Sequence, residues 1–234
     1  MEDDSTYHDV YIVVPAKDEE RYIDILIDKL EALGFVNIVI INDNSQDQTA
    51  VIARQRENVV VLDHSINLGA GAATQTGIAY AVSNEAKIIV TIDADLQHNP
   101  DDLIKLIEAL KKDNCDLVIG SRFIQKNEIP KSRIFFNKIA NVISWLLTGT
   151  YLTDSQSGLK AFNNTLAKHL NLNYDGFEFC MEIIKEAKAN KLKIKEIPVF
   201  VSYTPETLKK GQGLWVGIKI ISRLMSPFLS LIHI

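Results

Sequence analysis

The sequence has only two cysteines, Cys115 and Cys180, in 234 residues. They lack metal-site spacing, so neither a disulfide framework nor a thiolate metal cage is on offer, and a reducing, cytoplasmic setting fits. No uncharged apolar run reaches the roughly 18 residues that a membrane-spanning helix needs, and none is expected. The opening Met1-Glu2-Asp3-Asp4 has neither the basic nor the apolar region of a secretory signal. Two nucleotide-binding signatures are also missing. The stretch Asn67-Leu68-Gly69-Ala70-Gly71-Ala72-Ala73 has neither Gly-x-Gly-x-x-Gly spacing nor the Lys-Ser/Thr ending of a P-loop, so a common dinucleotide or ATP site is not indicated. Disorder is excluded, because the chain is 47% apolar and long enough to bury a substantial core.

Charge is present but unevenly spread. Residues 1–120 hold 9 Lys/Arg against 22 Asp/Glu, and residues 121–234 hold 16 against 8, although the formal net charge is only −5. The acidic half suits a cation, and the basic half suits phosphate or an anionic membrane surface. Nucleic acid is not indicated: Lys191, Lys193 and Lys195 alternate with apolar residues, as the wet face of a strand does.

The acidic half centres on Ile88-Ile89-Val90-Thr91-Ile92-Asp93-Ala94-Asp95-Leu96-Gln97-His98. Its first part reads as a buried strand, and two carboxylates, an amide and an imidazole follow before Asn99-Pro100 turns the chain. Open α/β sheets bind ligands at the carboxyl ends of their strands. Asp93 and Asp95 can converge there on one cation, with Gln97 offering a third oxygen. Such hard donors suit Mg2+ or Mn2+ when a diphosphate completes the shell. A turn that merely caps the next helix reads the same locally.

Strands are expected near 10–14, 36–41 and 59–62, separated by helices, of which 70–83 is one. These βα units are the pattern of the nucleotide-binding half of a doubly wound sheet. Asp43, at a strand end, can accept a base N–H or simply form an Asx-turn. Further on, a strand is expected at 116–119. Arg122 and Arg133 fall at changes of structure, where a guanidinium fork can take a phosphate. The helical stripe Phe135, Phe136, Ile139, Val142, Ile143, Leu146 and Leu147 is expected to pack into the core, with lipid contact as its rival. Asp154 and Glu182 are acidic candidates without a fixed task. The apolar stretch 214–234, interrupted by Lys219, Arg223 and Pro227, suits a membrane surface or a subunit contact.

Taken together, several segments resemble one family: Val14-Pro15-Ala16-Lys17-Asp18-Glu19-Glu20, Asn42-Asp43-Asn44-Ser45-x-Asp47-x-Thr49, Asn67-Leu68-Gly69-x-Gly71, Asp93-Ala94-Asp95-Leu96-Gln97-His98 and Gly120-Ser121-Arg122. Over about residues 9–205 the chain is similar to family 2 glycosyltransferases of GT-A fold. Asp154-x-Gln156-x-Gly158-x-Lys160 resembles the branch that acts on polyprenyl phosphate, the dolichyl-phosphate mannose synthases among them. The resemblance implies an α/β domain over 1–205, with a Rossmann-like nucleotide-binding half and a mixed central sheet. A loop and an amphipathic, membrane-associating or dimerising helix would follow over 206–234.

By the same resemblance Pro15, Ala16, Glu19 and Asp43 line the donor nucleoside site, with Asp93 and Ala94 alongside. Asp93, Asp95 and Gln97 hold the metal, Arg122 and Arg133 hold the acceptor phosphate, and Asp154 orients donor or acceptor. Family members use a loop arginine near the diphosphate; Ser202-Tyr203 does not supply it, and Lys209 or Lys210 is the candidate replacement. Asn42 stands where many relatives have Asp. The implied reaction is inverting transfer from a UDP- or GDP-linked sugar to polyprenyl phosphate, at the cytoplasmic membrane face, by a peripheral enzyme open to homo-oligomerisation. Its rivals are transfer to a glycan hydroxyl with Asp154 or Glu182 as base, a noncatalytic nucleotide-sugar sensor, and nucleotidyl transfer.

Overall fold

Strands apolar on both faces draw the chain into one sheet covered by helices on each side. The computed structural model describes residues 7–172 and 179–203. Strands β1 (Val10–Ala16), β2 (Asn37–Asn42), β3 (Val59–Asp63) and β4 (Ile88–Thr91) are parallel, linked by α1 (Ile23–Ala32), α2 (Thr49–Ala53) and α3 (Ala70–Ser83). Then come α4 (Asp102–Lys112), β5 (Leu117–Ser121), α5 (Lys131–Thr148), β6 (Lys160–Asn163), the single turn α6 (Asn164–Ala167), α7 (Phe179–Ala189) and β7 (Ile194–Pro198). The strand order is β3-β2-β1-β4-β6-β5-β7. The expected α/β class and mixed sheet are both present, and α3 spans the expected residues.

One face of the sheet buries Ile12, Val14 and Val90 under Ile23, Leu26, Ile27 and Leu30 of α1 and Leu103, Leu106 and Ile107 of α4. The other buries Val13, Ile41 and Ile89 under α3, α6 and α7. Small residues let α3 lie close to the strands: a Cβ on Gly77 would meet Val13 Cγ1 at 2.3 Å and Ile41 Cδ1 at 2.6 Å.

Strand β6 runs antiparallel to both β4 and β5, with Lys160 opposite Thr91 and Ile119. The start of β6 therefore lies at the edge where its two neighbours end. This reversal carries the loop 153–159 to the acidic turn.

Helix α5 overturns the expected core packing of its apolar stripe. The side it buries is Ala140, Asn141, Ser144 and Thr148, while Phe135 and Leu146 are 61% and 70% exposed and Val142 and Trp145 are exposed as well. Hydrogen bonding explains the inversion. Asn141 donates Nδ2 to the Thr153 carbonyl at 2.6 Å, and its Oδ1 accepts from Ser155 N and Oγ at 2.9 and 2.8 Å. Turning α5 about its axis would leave those buried loop groups unpaired, at a cost of about 1–3 kcal/mol each. Among the described residues no helix is long and apolar enough to cross a membrane.

The close approach of α3 gives a direct test. Gly77→Ala is expected to destabilise the fold by about 1–3 kcal/mol through overpacking, read as a lower urea midpoint at unchanged slope. An unchanged midpoint would contradict the packing described.

Candidate active site

Parallel strands present their carboxyl ends on one edge, and the loops that leave β1, β2, β4 and β5 meet there. The first two are laced together: Asp43 N donates to the Ala16 carbonyl at 2.9 Å, Asp18 N to Ser45 Oγ at 3.0 Å, and Glu19 N to Thr49 Oγ1 at 2.8 Å. Asp47 accepts Thr49 N at 3.0 Å and Glu20 N at 3.1 Å. Burial works against its charge, but these bonds hold its carboxyl below the usual aspartate value. Asp18 and Asn44 take the left-handed backbone, at φ +54° and +57°, that Asp and Asn tolerate best. Pro15, Ala16, Glu19 and Asp43 are thus gathered on one rim.

Asp43 is more committed than an open base acceptor. Its buried carboxylate takes Leu68 N and Gly69 N, both at 2.8 Å, and His64 Nδ1 at 2.9 Å. The other His64 nitrogen lies 2.9 Å from Thr76 Oγ1. Asp43 therefore ties the small-residue loop before α3 to the end of β2, and Oδ2, which among the described residues takes Gly69 N while Oδ1 takes Leu68 N and His64, keeps the freer lone pair. Asn42 also has a local reason to be an amide. It donates to Asp63 Oδ1 at 2.8 Å and accepts Ser45 N at 3.1 Å, whereas a carboxylate in its place would repel Asp63.

The acidic turn folds sharply because Leu96 adopts φ +57°. Asp95 receives Gln97 N at 3.0 Å and the Gln97 side-chain amide. Gln97 Oε1 accepts from Arg133 Nη1 at 3.3 Å, so in this arrangement its oxygen faces an arginine and its NH2 faces the carboxylate. Asp93 packs on the loop before β6, where a Cβ on Gly158 would lie 2.5 Å from Asp93 Oδ2. Burial, reinforced by the adjacent charge of Asp95, pushes the Asp93 carboxyl up to about 6. Arg122 and Lys160 pull the other way.

Asp93, crowded by burial and by the charge of Asp95, forms with it a donor pair whose repulsion a divalent cation would relieve. Among the described residues no group of three or more His, Cys, Asp or Glu side chains forms a metal cage. Mg2+ is usually bound by one or two carboxylates, with phosphate oxygens and water completing its shell. Asp93 and Asp95 are the residues that would hold it.

Arg122 and Asp154 form a buried, two-pronged ion pair across β5 and the β6 loop. Nε and Nη2 lie 2.6 and 2.7 Å from the two carboxylate oxygens, and the Arg122 N–H adds a third bond at 3.0 Å. Asp154 is fully buried. Burial opposes the Arg122 charge, but the Asp154 carboxylate keeps the guanidinium more firmly protonated than an ordinary arginine. Glu196 of β7 orders the same loop, accepting Thr153 N at 2.8 Å and Asp154 N at 2.9 Å. Arg133, on the first turn of α5, stacks over Tyr203 with its guanidinium carbon 4.8 Å from the ring centre.

Sequence reasoning assigned no role to Glu196, Asn141, Tyr203, His64 or His98. Glu196 hides in the middle of β7, beyond a run of alternating lysines, and Asn141 reads as a solvent-facing amide on a helix. His98 is buried, its Nδ1 has no hydrogen-bond partner among the described residues, and burial with the nearby Arg122 charge lowers its pKa to about 3. It stays neutral at any working pH. Lys160, fully buried, donates to the Ser157 carbonyl. Glu182 lies half-buried on α7, while Lys209, Lys210 and the stretch 214–234 fall outside the described residues.

The fold is of the GT-A type. The structure of glucosyl-3-phosphoglycerate synthase from Mycobacterium tuberculosis, with Mn2+, uridine diphosphate and phosphoglyceric acid, has the same fold at a TM-score of 0.70 and 17% identity, over 93% of this chain and 77% of that one. Residues 11–170 match the model of glycosyl transferase family 2, and the chain belongs to that family. A UDP-N-acetylglucosamine–dolichyl-phosphate N-acetylglucosaminyltransferase of Methanococcus voltae is 36% identical over 92% of this chain and 94% of its own. A polyprenol monophosphomannose synthase of Mycolicibacterium smegmatis is 25% identical over 80% and 75%.

The Asp93 shift has a measurable consequence. Its carboxyl rises from 3.8 to about 6 on folding, so between those values the folded chain keeps a proton that the unfolded chain has lost. Stability from this group is therefore full at acid pH and is lost as pH rises through about 6. In chelator, the uncharged isostere Asp93→Asn is expected to raise the thermal midpoint near pH 7.5 and to leave it unchanged near pH 4, where Asp93 is itself protonated. Equal gains at both pH values would contradict the assignment.

Proposed function

We propose that this chain transfers one sugar from a nucleoside-diphosphate sugar to polyprenyl monophosphate, with inversion at the anomeric carbon. The observation that carries the reading is the side-by-side placement of the Asp93–Asp95 pair and two arginines, joined through Gln97. A donor diphosphate and an acceptor phosphate both need positive partners, and this edge offers one set for each. A bound divalent ion would neutralise the charge that develops on the departing nucleoside diphosphate.

The remaining work falls to the chain's own groups. The rim of Pro15, Ala16, Glu19 and Asp43 receives the nucleoside. Arg133 and the donors of Arg122 left over from Asp154 orient the attacking phosphate. A phosphate oxygen forms the new bond to the anomeric carbon as the bond to the diphosphate breaks. The phosphate is already ionised near neutral pH, so alignment and charge stabilisation suffice and no protein base is needed. A hydroxyl acceptor would need one. Asp154 fits that task poorly, because it is buried and both its oxygens are bound to Arg122.

UDP-linked sugars lead as donors, since the relative named for UDP-N-acetylglucosamine resembles the chain at 36% identity and the one named for mannose at 25%. The exposed apolar side of α5 supports work at a membrane surface. Residues 129–153 contain Lys131, Arg133 and Lys138 but no Asp or Glu, a pattern suited to an anionic bilayer. The helix begins at the arginine that would hold the lipid's phosphate.

The test presents labelled UDP-N-acetylglucosamine, UDP-glucose and GDP-mannose with polyprenyl phosphate in anionic vesicles, with Mg2+ or Mn2+, and identifies the lipid product by mass. A metal-dependent glycosyl-phosphopolyprenol is expected, lost by at least about 100-fold in Asp95→Ala. Leu146→Glu is expected to slow transfer in vesicles while sparing transfer to detergent-dispersed carrier. Transfer only to a soluble glycan hydroxyl would sink the lipid-phosphate reading; tight donor binding without turnover would favour a sensor.

A further inference from the structure

Beyond β7 the backbone is pinned residue by residue. Val199 N donates to the Ser121 carbonyl at 3.1 Å, Phe200 N to Asp102 Oδ2 at 2.8 Å, Val201 N to Asn127 Oδ1 at 3.3 Å and Ser202 N to the Gln97 carbonyl at 2.9 Å. Four consecutive donors thus reach four different places: the end of β5, the fully buried Asp102 at the start of α4, the loop before α5, and the acidic turn. Val201 also bridges His98. A segment anchored at every residue delivers the next side chain to a fixed point, and that side chain is Tyr203.

Tyr203 arrives between the two arginines. Its ring lies under Arg133, 4.8 Å from the guanidinium carbon. Its phenol lies close enough to Arg122 to favour the charged guanidinium, after the larger effect of Asp154. The two like charges repel each other, and Asp154 already closes on Arg122 alone. A tyrosine suits the gap because it offers a negative ring face to one cation and an oxygen to the other, yet adds no charge to compete with an incoming phosphate.

We infer that Tyr203 is a positioning residue that holds Arg122 and Arg133 together as one clamp for the acceptor phosphate. The inference rests on the reading of those arginines as the acceptor site. It assigns to Tyr203 no contact with the sugar and no part in bond making. Because the anchoring strap passes over Gln97, the clamp is set against the same turn that carries Asp95, which fixes the attacking phosphate relative to the donor.

The test compares steady-state constants for both substrates in Tyr203→Leu, Tyr203→Phe, Arg133→Ala and the Arg133→Ala/Tyr203→Leu double variant, with thermal midpoints as a check on folding. Tyr203→Leu is expected to raise KM for polyprenyl phosphate roughly tenfold, with donor KM and kcat changed by no more than about twofold. Tyr203→Phe keeps the ring and loses the oxygen, so a rise of about threefold is expected; if the leucine variant does not fold, this variant decides. The double variant should be only about threefold worse than Arg133→Ala alone, well short of tenfold, because the ring contact is already gone and only the contact with Arg122 is left to lose. Equal effects on donor and acceptor, strict additivity, or no rise in acceptor KM with Tyr203→Phe would overturn the role given to Tyr203. The two failures are separable. An Arg133→Ala variant with normal acceptor KM removes the phosphate site itself, whereas a raised KM there with normal values in both Tyr203 variants removes only the tyrosine.

Discussion

The buried ion pair of Arg122 and Asp154 is the constraint on which the site depends. A fully buried carboxylate is tolerable only with a close cation and satisfied oxygens, and breaking such a pair leaves an uncompensated charge at a cost of about 3–5 kcal/mol. The pair joins the end of β5 to the loop before β6, and Glu196 and Asn141 secure that loop's backbone from opposite sides. Gly158 of the same loop abuts Asp93. One charge pair thus sets where an arginine of the basic half meets a carboxylate of the acidic half. It also limits Arg122: Nε and one Nη are spent on Asp154, and only what remains can meet a ligand.

The acidic turn stores the complementary tension. Asp93 is crowded by burial and by Asp95, and Lys160 and Arg122 only partly offset the repulsion. A neutral His98 behind the turn adds no charge. The edge is therefore organised before any ligand arrives, which is how electrostatic stabilisation avoids reorganisation during reaction. Helix α5 extends the same logic outward. Asn141 is used up inside, holding the 153–155 loop, and Phe135, Val142, Trp145 and Leu146 are left outside.

Much of this could be read from residue order, and the part that could not has physical causes. The parallel strands were legible because apolar runs end abruptly in polar turns, and α3 because its small residues keep helical spacing between Gly69 and Asn84. Asp43, Asp93, Asp95 and Arg122 were legible as residues at or just past strand ends. Periodicity tells which residues share a face of α5, but not which face the protein needs; three hydrogen bonds to Asn141 decided that. Glu196 was masked by its lysine neighbours. The contacts of Tyr203 join it to Arg133 and Arg122, far away in the chain, and no local pattern encodes such closures. Asp43 was found in the expected place, with its carboxylate already engaged by Leu68, Gly69 and His64.

The central claim is a single displacement in which a lipid phosphate, held by arginines, attacks the anomeric carbon and no enzyme side chain becomes covalently attached. The most direct measurement is the anomeric configuration of the sugar phosphate formed from an α-linked donor, read from proton and phosphorus couplings in the isolated product. A β-linked glycosyl phosphate is the result this account predicts. An α-linked product would contradict it, since retention requires a second displacement and a nucleophile for which the site has been given no candidate.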